Sequence, residues 1–252
     1  MSLPPTNHQQ PTTIAILGVP VHDVTTEETL ALIAQFVRER TPHQVCTVNP
    51  EFIMTAQQDA EFKRILQQAA LNLPDGIGVV WAAKRLGQPL RERVAGSDLV
   101  GQIVDRAQST GWRIFLLGAA EGVAERAAII LRQRYPQTHI VGAFAGSPQP
   151  EDEADIAARI RSSGADVLLV AYGAPKQDKW IARNIERTGV AVAIGIGGSL
   201  DFIVGTQKRA PQWMQHAGIE WLYRLVREPW RWRRQLALPK FVWRVLLVKR
   251  KA

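Results

Sequence analysis

The stretch "NLPDGIGVVW" (72–81) sets one carboxylate, Asp75, in a turn between an apolar run that reads as a strand and one that opens a helix. An acid in that place has two uses. It can cap the helix or complete an ordinary Pro-Asp-Gly turn. It can also stand at the mouth of a sheet, held firmly enough to exchange a proton with a bound molecule.

Glycine marks a second set of positions. "LLGAAEG" (116–122), "GAFAG" (142–146), "AYGAPKQ" (171–177) and "GIGIGGSLD" (193–201) each follow an apolar run, and "TVNPE" (47–51) offers Asn49 as a cap and Pro50 as a first helical residue. Any one of these is a turn. Together, with several running into helix starts, they predict a phosphate-bearing ligand held by backbone N–H groups. Gly118, Gly142, Tyr172, Gly173, Gly198 and Asp201 are the nucleotide-binding candidates.

Absent patterns narrow the chemistry. The dinucleotide fingerprint G-x-G-x-x-G fails at its third glycine, where Leu200 stands, and there is no phosphate loop of the G-x-x-x-x-G-K-[ST] type. A nicotinamide oxidoreductase is therefore disfavoured. The five histidines are scattered, no Cys/His cluster occurs, and no D-x-D is present to hold a divalent metal. No metal and no cofactor is expected. Charge on a diphosphate would have to be offset by backbone amides, Lys and Arg.

The elements that must carry these residues alternate. Strands are expected at Ile14–Leu17, Gln44–Val48, Ile114–Leu117, His139–Phe144, Val167–Tyr172 and Val190–Ile196, with a short one leading into Asp75. Helical patterns fall at Thr26–Arg38, Ala60–Ala69, Gly76–Leu86, Asp98–Gln108, Gly122–Arg134, Pro150–Ser162 and Pro175–Arg187. This predicts an α/β fold, a Rossmann-like, mostly parallel sheet with helices on both faces and ligands beyond the carboxyl ends of its strands. Cys46 has no partner for a disulfide and reads as a small buried hydrophobe.

Charge divides the chain. The net charge of +8 is concentrated at one end: Thr206–Ala252 holds 12 Lys and Arg against 2 Glu, a balance of +10, so the preceding residues sum to −2. The same end carries Trp213, Trp221, Trp230, Trp232 and Trp243, broken into short helices by Pro229 and Pro239. Arg224, Arg231 and Arg234 fall at i, i+7 and i+10, one helical face if the break is gentle. A basic helix packed through its tryptophans, or a nucleic-acid surface, fits this composition less well than a membrane interface, where Trp sits at headgroup depth and Arg meets anionic lipid. No apolar run is long enough to span a bilayer. The organisation expected is a disordered tail at 1–13 without signal-peptide features, a core at 14–205 and a membrane-docking appendage at 206–252. The protein would work in the cytoplasm, on the inner face of the plasma membrane.

Read in order, "TVNPE", "LPDGIGVVWAAKRLG", "RVAGSDL", "GAPKQDKWI", "GIGGSLDFIVGTQKRAP" and "GIEWLYRLVREPWRWRR" resemble the WecG/TagA/CpsF family of bacterial glycosyltransferases, over about 14–240. The resemblance implies transfer, with inversion, of an N-acetylmannosamine-type sugar from a UDP-sugar to a polyprenyl-diphosphate-linked GlcNAc acceptor, in teichoic acid or related polysaccharide synthesis. It puts Asp75 at the position of the catalytic base. It makes Thr47, Asn49, Arg93 and Gln177 pocket residues, and Arg224, Arg231 and Arg234 the appendage arginines that hold diphosphate. It leaves the oligomeric state open, implies no nucleic acid, and sets against itself one alternative, an inactive nucleotide- or lipid-binding module on the same scaffold.

Overall fold

The computed structural model describes residues 11–211, 213, 214, 220–227, 232 and 236–248, and for Glu220 and Arg224 the backbone alone. Six parallel strands form the main sheet: β3 (His43–Val48), β4 (Leu71–Pro74), β5 (Arg113–Gly118), β6 (His139–Phe144), β7 (Val167–Ala171) and β8 (Val192–Gly195), in the order β4-β3-β8-β7-β5-β6. Helices α1 (Thr26–Glu39), α5 (Gly96–Thr110), α6 (Val123–Arg134) and α9 (Ser199–Val204) cover one face. On the other lie α2 (Pro50–Ala56), α3 (Ala60–Gln68), α4 (Ile77–Arg85), α7 (Glu153–Ser163) and α8 (Lys176–Thr188).

The strands show why both faces are covered. Val167 and Leu169 enter one core, Leu168 and Val170 the other, and all four are fully buried. A parallel strand buried on two sides reads as a continuous apolar run, as these do. The doubly covered, mostly parallel α/β sheet is the fold expected from the alternation.

One strand departs from expectation. The run at Ile14–Leu17 does not join the main sheet: β1 (Thr13–Ile16) pairs antiparallel with β2 (Val19–His22), a strand that the sequence pattern does not announce. Leu17 and Gly18 make the turn at φ 50° and 79°, and Pro20 is confined to this two-stranded ribbon. Leu at positive φ is no turn signal, and Pro demotes a strand. Ordered chain also begins ahead of Ile14, since the Thr12 carbonyl accepts from the Asp23 N–H at 2.8 Å.

Two helices follow the core: α10 (Glu220–Arg227) and α11 (Ala237–Leu247). Phe241 and Val245, one turn apart on α11, are 0 % exposed in the cluster that also holds Phe52, Ile53 and Val79. The opposite side of α11 is bare, with Trp243 and Leu247 each 63 % exposed. No described helix is long and apolar enough to cross a membrane.

Candidate active site

A cleft of about 310 Å³ opens beyond the carboxyl ends of β3, β4, β7 and β8. Its size suits a small-molecule ligand. Helix N-termini converge on it: the first residues of α2, α4, α5, α8 and α9, or the residues just before them, all line its wall. Only α2 has a side-chain cap; α4, α5, α8 and α9 have none. Uncapped N-termini carry partial positive charge and N–H donors, the makings of an anion site.

Asp75 sits on this wall, in the turn from β4 to α4. Its backbone N–H donates to the Val48 carbonyl at 2.8 Å, so the turn is tied to β3. Gly76 follows at φ 94°, and Gly78 lets the first turn of α4 lie on α2, for a Cβ there would stand 2.6 Å from Pro50 Cγ. The "PDGIG" spacing thus seats the turn that carries Asp75 against the start of α2. The N-cap position of α4 is Gly76, one residue after Asp75.

The pocket residues implied by the resemblance come together here, but several are occupied. Asn49 caps α2, its Oδ1 accepting from Phe52 N–H at 3.0 Å. Thr47 is 6 % exposed and donates to the Gly195 carbonyl at 3.2 Å, joining β3 to β8. Arg93 lines the wall on a segment held by its neighbour Arg91, which binds Asp23 and Glu28 at the start of α1. Exposed ion pairs of that kind stabilise little but fix where the loop runs. Gln177, 2 % exposed, accepts from the N–H groups of Gly173 and Gly197.

Among the nucleotide candidates, Gly173 and Gly198 line the cleft, whereas Gly118, Gly142, Tyr172 and Asp201 do not. Gly118 closes on the backbone of Ala171, and Gly142 lies mid-strand beneath the Phe115 ring. Tyr172 packs edge-on to Trp180 with its hydroxyl buried. Asp201 accepts from the Thr206 hydroxyl at 3.1 Å behind the Gly198 loop. Arg231 and Arg234 lie outside the described residues, as does the Arg224 side chain. The appendage does reach the site, since Trp221 of α10 and Ala237 and Leu238 of α11 form part of the wall.

Sequence reasoning overlooked Gly96 and Ser97 at the start of α5, Phe202, and the apolar wall from the appendage. A Gly-Ser pair opening a helix was the available signal for the first two. It also overlooked Asp178. That carboxyl is fully buried beside Cys46, and burial pushes it up to about 7 while the Cys46 thiol opposes the shift. Burial likewise raises the thiol, and Asp178 adds to that rise.

A prediction about stability follows from the raised carboxyl. The unfolded chain gives up this proton near the ordinary carboxylate value of 3.8, the folded one near 7, so the folded state holds more protons in between. Stability is therefore lost as pH rises across that window, by up to roughly 4 kcal/mol. Asp178→Asn has no such proton. Its stability relative to the parent should grow between pH 4 and pH 7 by about that amount and level off above. Urea unfolding across the range checks this, and a constant difference would show a carboxyl ionised throughout.

Among the described residues no group of three His, Cys, Asp or Glu could hold a metal ion. A parallel α/β sheet with an anion-attracting cleft at its carboxyl end, and with Asp75 and Glu51 as the acids in its wall, is an arrangement suited to group transfer. Residues 14–252 match the profile of the glycosyl transferase WecG/TagA/CpsF family, and the chain belongs to that family. It is 38 % identical over 202 residues to the N-acetylglucosaminyldiphosphoundecaprenol N-acetyl-beta-D-mannosaminyltransferase of Bacillus spizizenii, covering 80 % of this chain and 78 % of that one. The enzyme of the same name from Bacillus subtilis is 36 % identical over 84 % of this chain and 82 % of its own. That of Staphylococcus aureus strain MW2 is 33 % identical over 94 % of each.

Proposed function

We propose that this glycosyltransferase moves N-acetylmannosamine from its UDP-sugar to GlcNAc carried on undecaprenyl diphosphate, with inversion at the anomeric carbon. The observation that carries the reading is the cleft itself, where five helix N-termini converge on a wall that holds Asp75 at a strand-end turn. Relatives bearing that activity in their names align over most of the chain.

The chemistry assigns each part a task. The acceptor hydroxyl attacks the anomeric carbon while its proton passes to the Asp75 carboxylate. The bond from that carbon to the diphosphate oxygen breaks, and UDP leaves carrying the electron pair. Helix N-termini and Arg93 line the cleft and are assigned to meet that growing negative charge. Gly173 and Gly198 let backbone approach the nucleotide. Arg224, Arg231 and Arg234 are assigned to the diphosphate of the acceptor. Gly118, Tyr172 and Asp201 sit beside loops that line the cleft and are assigned to support them, while Gly142, mid-strand in β6, has no part in the site.

The acceptor's lipid needs a membrane, and the appendage offers a surface for one. Trp243, Leu246 and Leu247 of α11 and Val226 of α10 are at least half exposed, near Arg227, Lys240 and Arg244. Apolar side chains mixed with basic ones suit the headgroup region of an anionic leaflet. The enzyme then acts as a peripheral protein at the inner face of the plasma membrane.

The test is transfer by the full chain from a panel of UDP-sugars to a GlcNAc-diphosphate-polyprenol in anionic vesicles. UDP-N-acetylmannosamine should be consumed with one UDP released per disaccharide-lipid formed. Vesicle binding without UDP release from any donor would make the chain an inactive binding module. Chelator should leave the rate unchanged, because helix N-termini and cationic side chains take the place of a metal. A rate lost to EDTA and restored by Mg²⁺ or Mn²⁺ would put a cation in the site.

A further inference from the structure

Gln177 and Asp178 are neighbours on the first turn of α8, and both are buried. Gln177 Oε1 accepts from Gly173 N–H at 3.1 Å and from Gly197 N–H at 3.0 Å. Those glycines belong to the loops after β7 and β8, and both line the cleft. One amide oxygen thus joins the two loops.

That link depends on which way the amide faces. Rotated by half a turn, it would present its NH₂ group to two N–H donors, and the loops would lose their common acceptor. The amide nitrogen lies over Gly195 of β8, where an added Cβ would stand 2.4 Å from Gln177 Nε2 and 3.0 Å from Asp178 Oδ1. The NH₂ group and the acid oxygen therefore share one small space, kept open by a glycine. The Gln177 amide beside it holds the Asp178 carboxyl below the value that burial alone would impose, although no hydrogen bond is closed between them.

Asp178 has no other evident use. Its two oxygens are buried without a closed hydrogen bond. An unsatisfied carboxyl in a core is costly, and its retention calls for a reason. Around it stand the Cys46 thiol from β3 and Gln44, whose Nε2 donates to the Asp178 backbone carbonyl at 2.9 Å. The adjacent Lys179 points instead to Asp59 and Glu61.

We propose that Asp178 is a positioning residue for the donor site: facing Gln177 Nε2, it fixes the amide in the orientation that ties the β7 and β8 loops together. It touches no substrate and acts only through Gln177. The inference rests on the reading that this cleft takes the nucleotide-sugar, and its experiment is built to fail separately from that reading.

Two variants of the full chain decide it. Asp178→Asn keeps an oxygen toward the amide; Asp178→Val is near in volume and removes it. In Asp178→Val the donor KM should rise about 10- to 100-fold, the scale of a site displaced by an ångström or less, with kcat changed far less. Backbone amides in 172–177 and 195–199 of the ligand-free protein should exchange faster. Asp178→Asn should restore both readouts to within about threefold of the parent. If Asp178→Val does not fold, Gln177→Glu alone and with Asp178→Asn carry the test, since the pair reverses donor and acceptor across the same gap. The double variant should regain most of the donor affinity that Gln177→Glu loses. A parental KM with protected loops in Asp178→Val, or equal damage in Asp178→Asn, overturns the proposal. A parent chain that binds no UDP-sugar overturns the site reading instead, and amide exchange still judges Asp178.

Discussion

Asp75→Asn lowers transfer by about 10²- to 10⁴-fold, the contribution of a positioned general base, while UDP affinity stays close to that of the parent. The substitution keeps the size of the side chain and removes its basicity. The backbone of the turn is held independently, by N–H bonds from Asp75 to Val48 and Leu73 and by the packing of α4 on Pro50. Folding should therefore be unaffected, and a thermal melt beside the transfer assay shows whether it is. In the proposed reading the diphosphate is met by helix N-termini and Arg93, none of which depends on the acidity of Asp75. Near-parental turnover in Asp75→Asn would remove the base assignment, leaving the carboxylate as a turn residue.

Phe241→Ala should cost about 3–5 kcal/mol of stability, the range for truncating a large buried aromatic. The ring is 0 % exposed, packed from α11 into the cluster formed with α2 and α4, the helices that follow Asn49 and Asp75. Each kcal/mol corresponds to about 2–4 °C in a chain of this size, so calorimetry or a dye melt would register it plainly. Transfer should fall as well, because Ala237 and Leu238 on the same helix close the cleft. Trp243→Ala, on the bare side of α11, is the contrasting variant. It should change stability by no more than about 0.5 kcal/mol yet weaken binding to anionic vesicles. An unchanged melt for Phe241→Ala would mean that α11 does not seat on α2 and α4.

The contrast between these two side chains shows how far local pattern reaches. Phe241 and Trp243 are both aromatic, two positions apart in a basic, Trp-rich segment, and composition assigns them one role. The helix turns them to different sides, so one completes the core and the other is left for a partner surface. The β1–β2 ribbon teaches the same lesson from the other direction. Its first strand is legible as an apolar run, but its pairing with β2 is legible only once Leu17 and Gly18 are seen at positive φ, a conformation that a leucine does not advertise.

What the sequence determined by itself was whatever depends on near neighbours along the chain. Alternating apolar runs set strand and helix, because burial on two faces demands such runs. Turn residues then put Asp75 at the carboxyl end of a strand, and the charge of the last residues separated them from the rest. Tertiary structure alone decided which strands are neighbours and what each polar group is spent on. β3 lies beside β8, so the Thr47 hydroxyl meets Gly195, 148 residues away. Gln177 joins two loops that only the sheet brings together, and Asp178 beside it is sealed against Cys46. A hydrogen bond or a desolvated carboxyl depends on atoms brought close by the fold of the whole chain, and no local spacing of residues encodes that closeness.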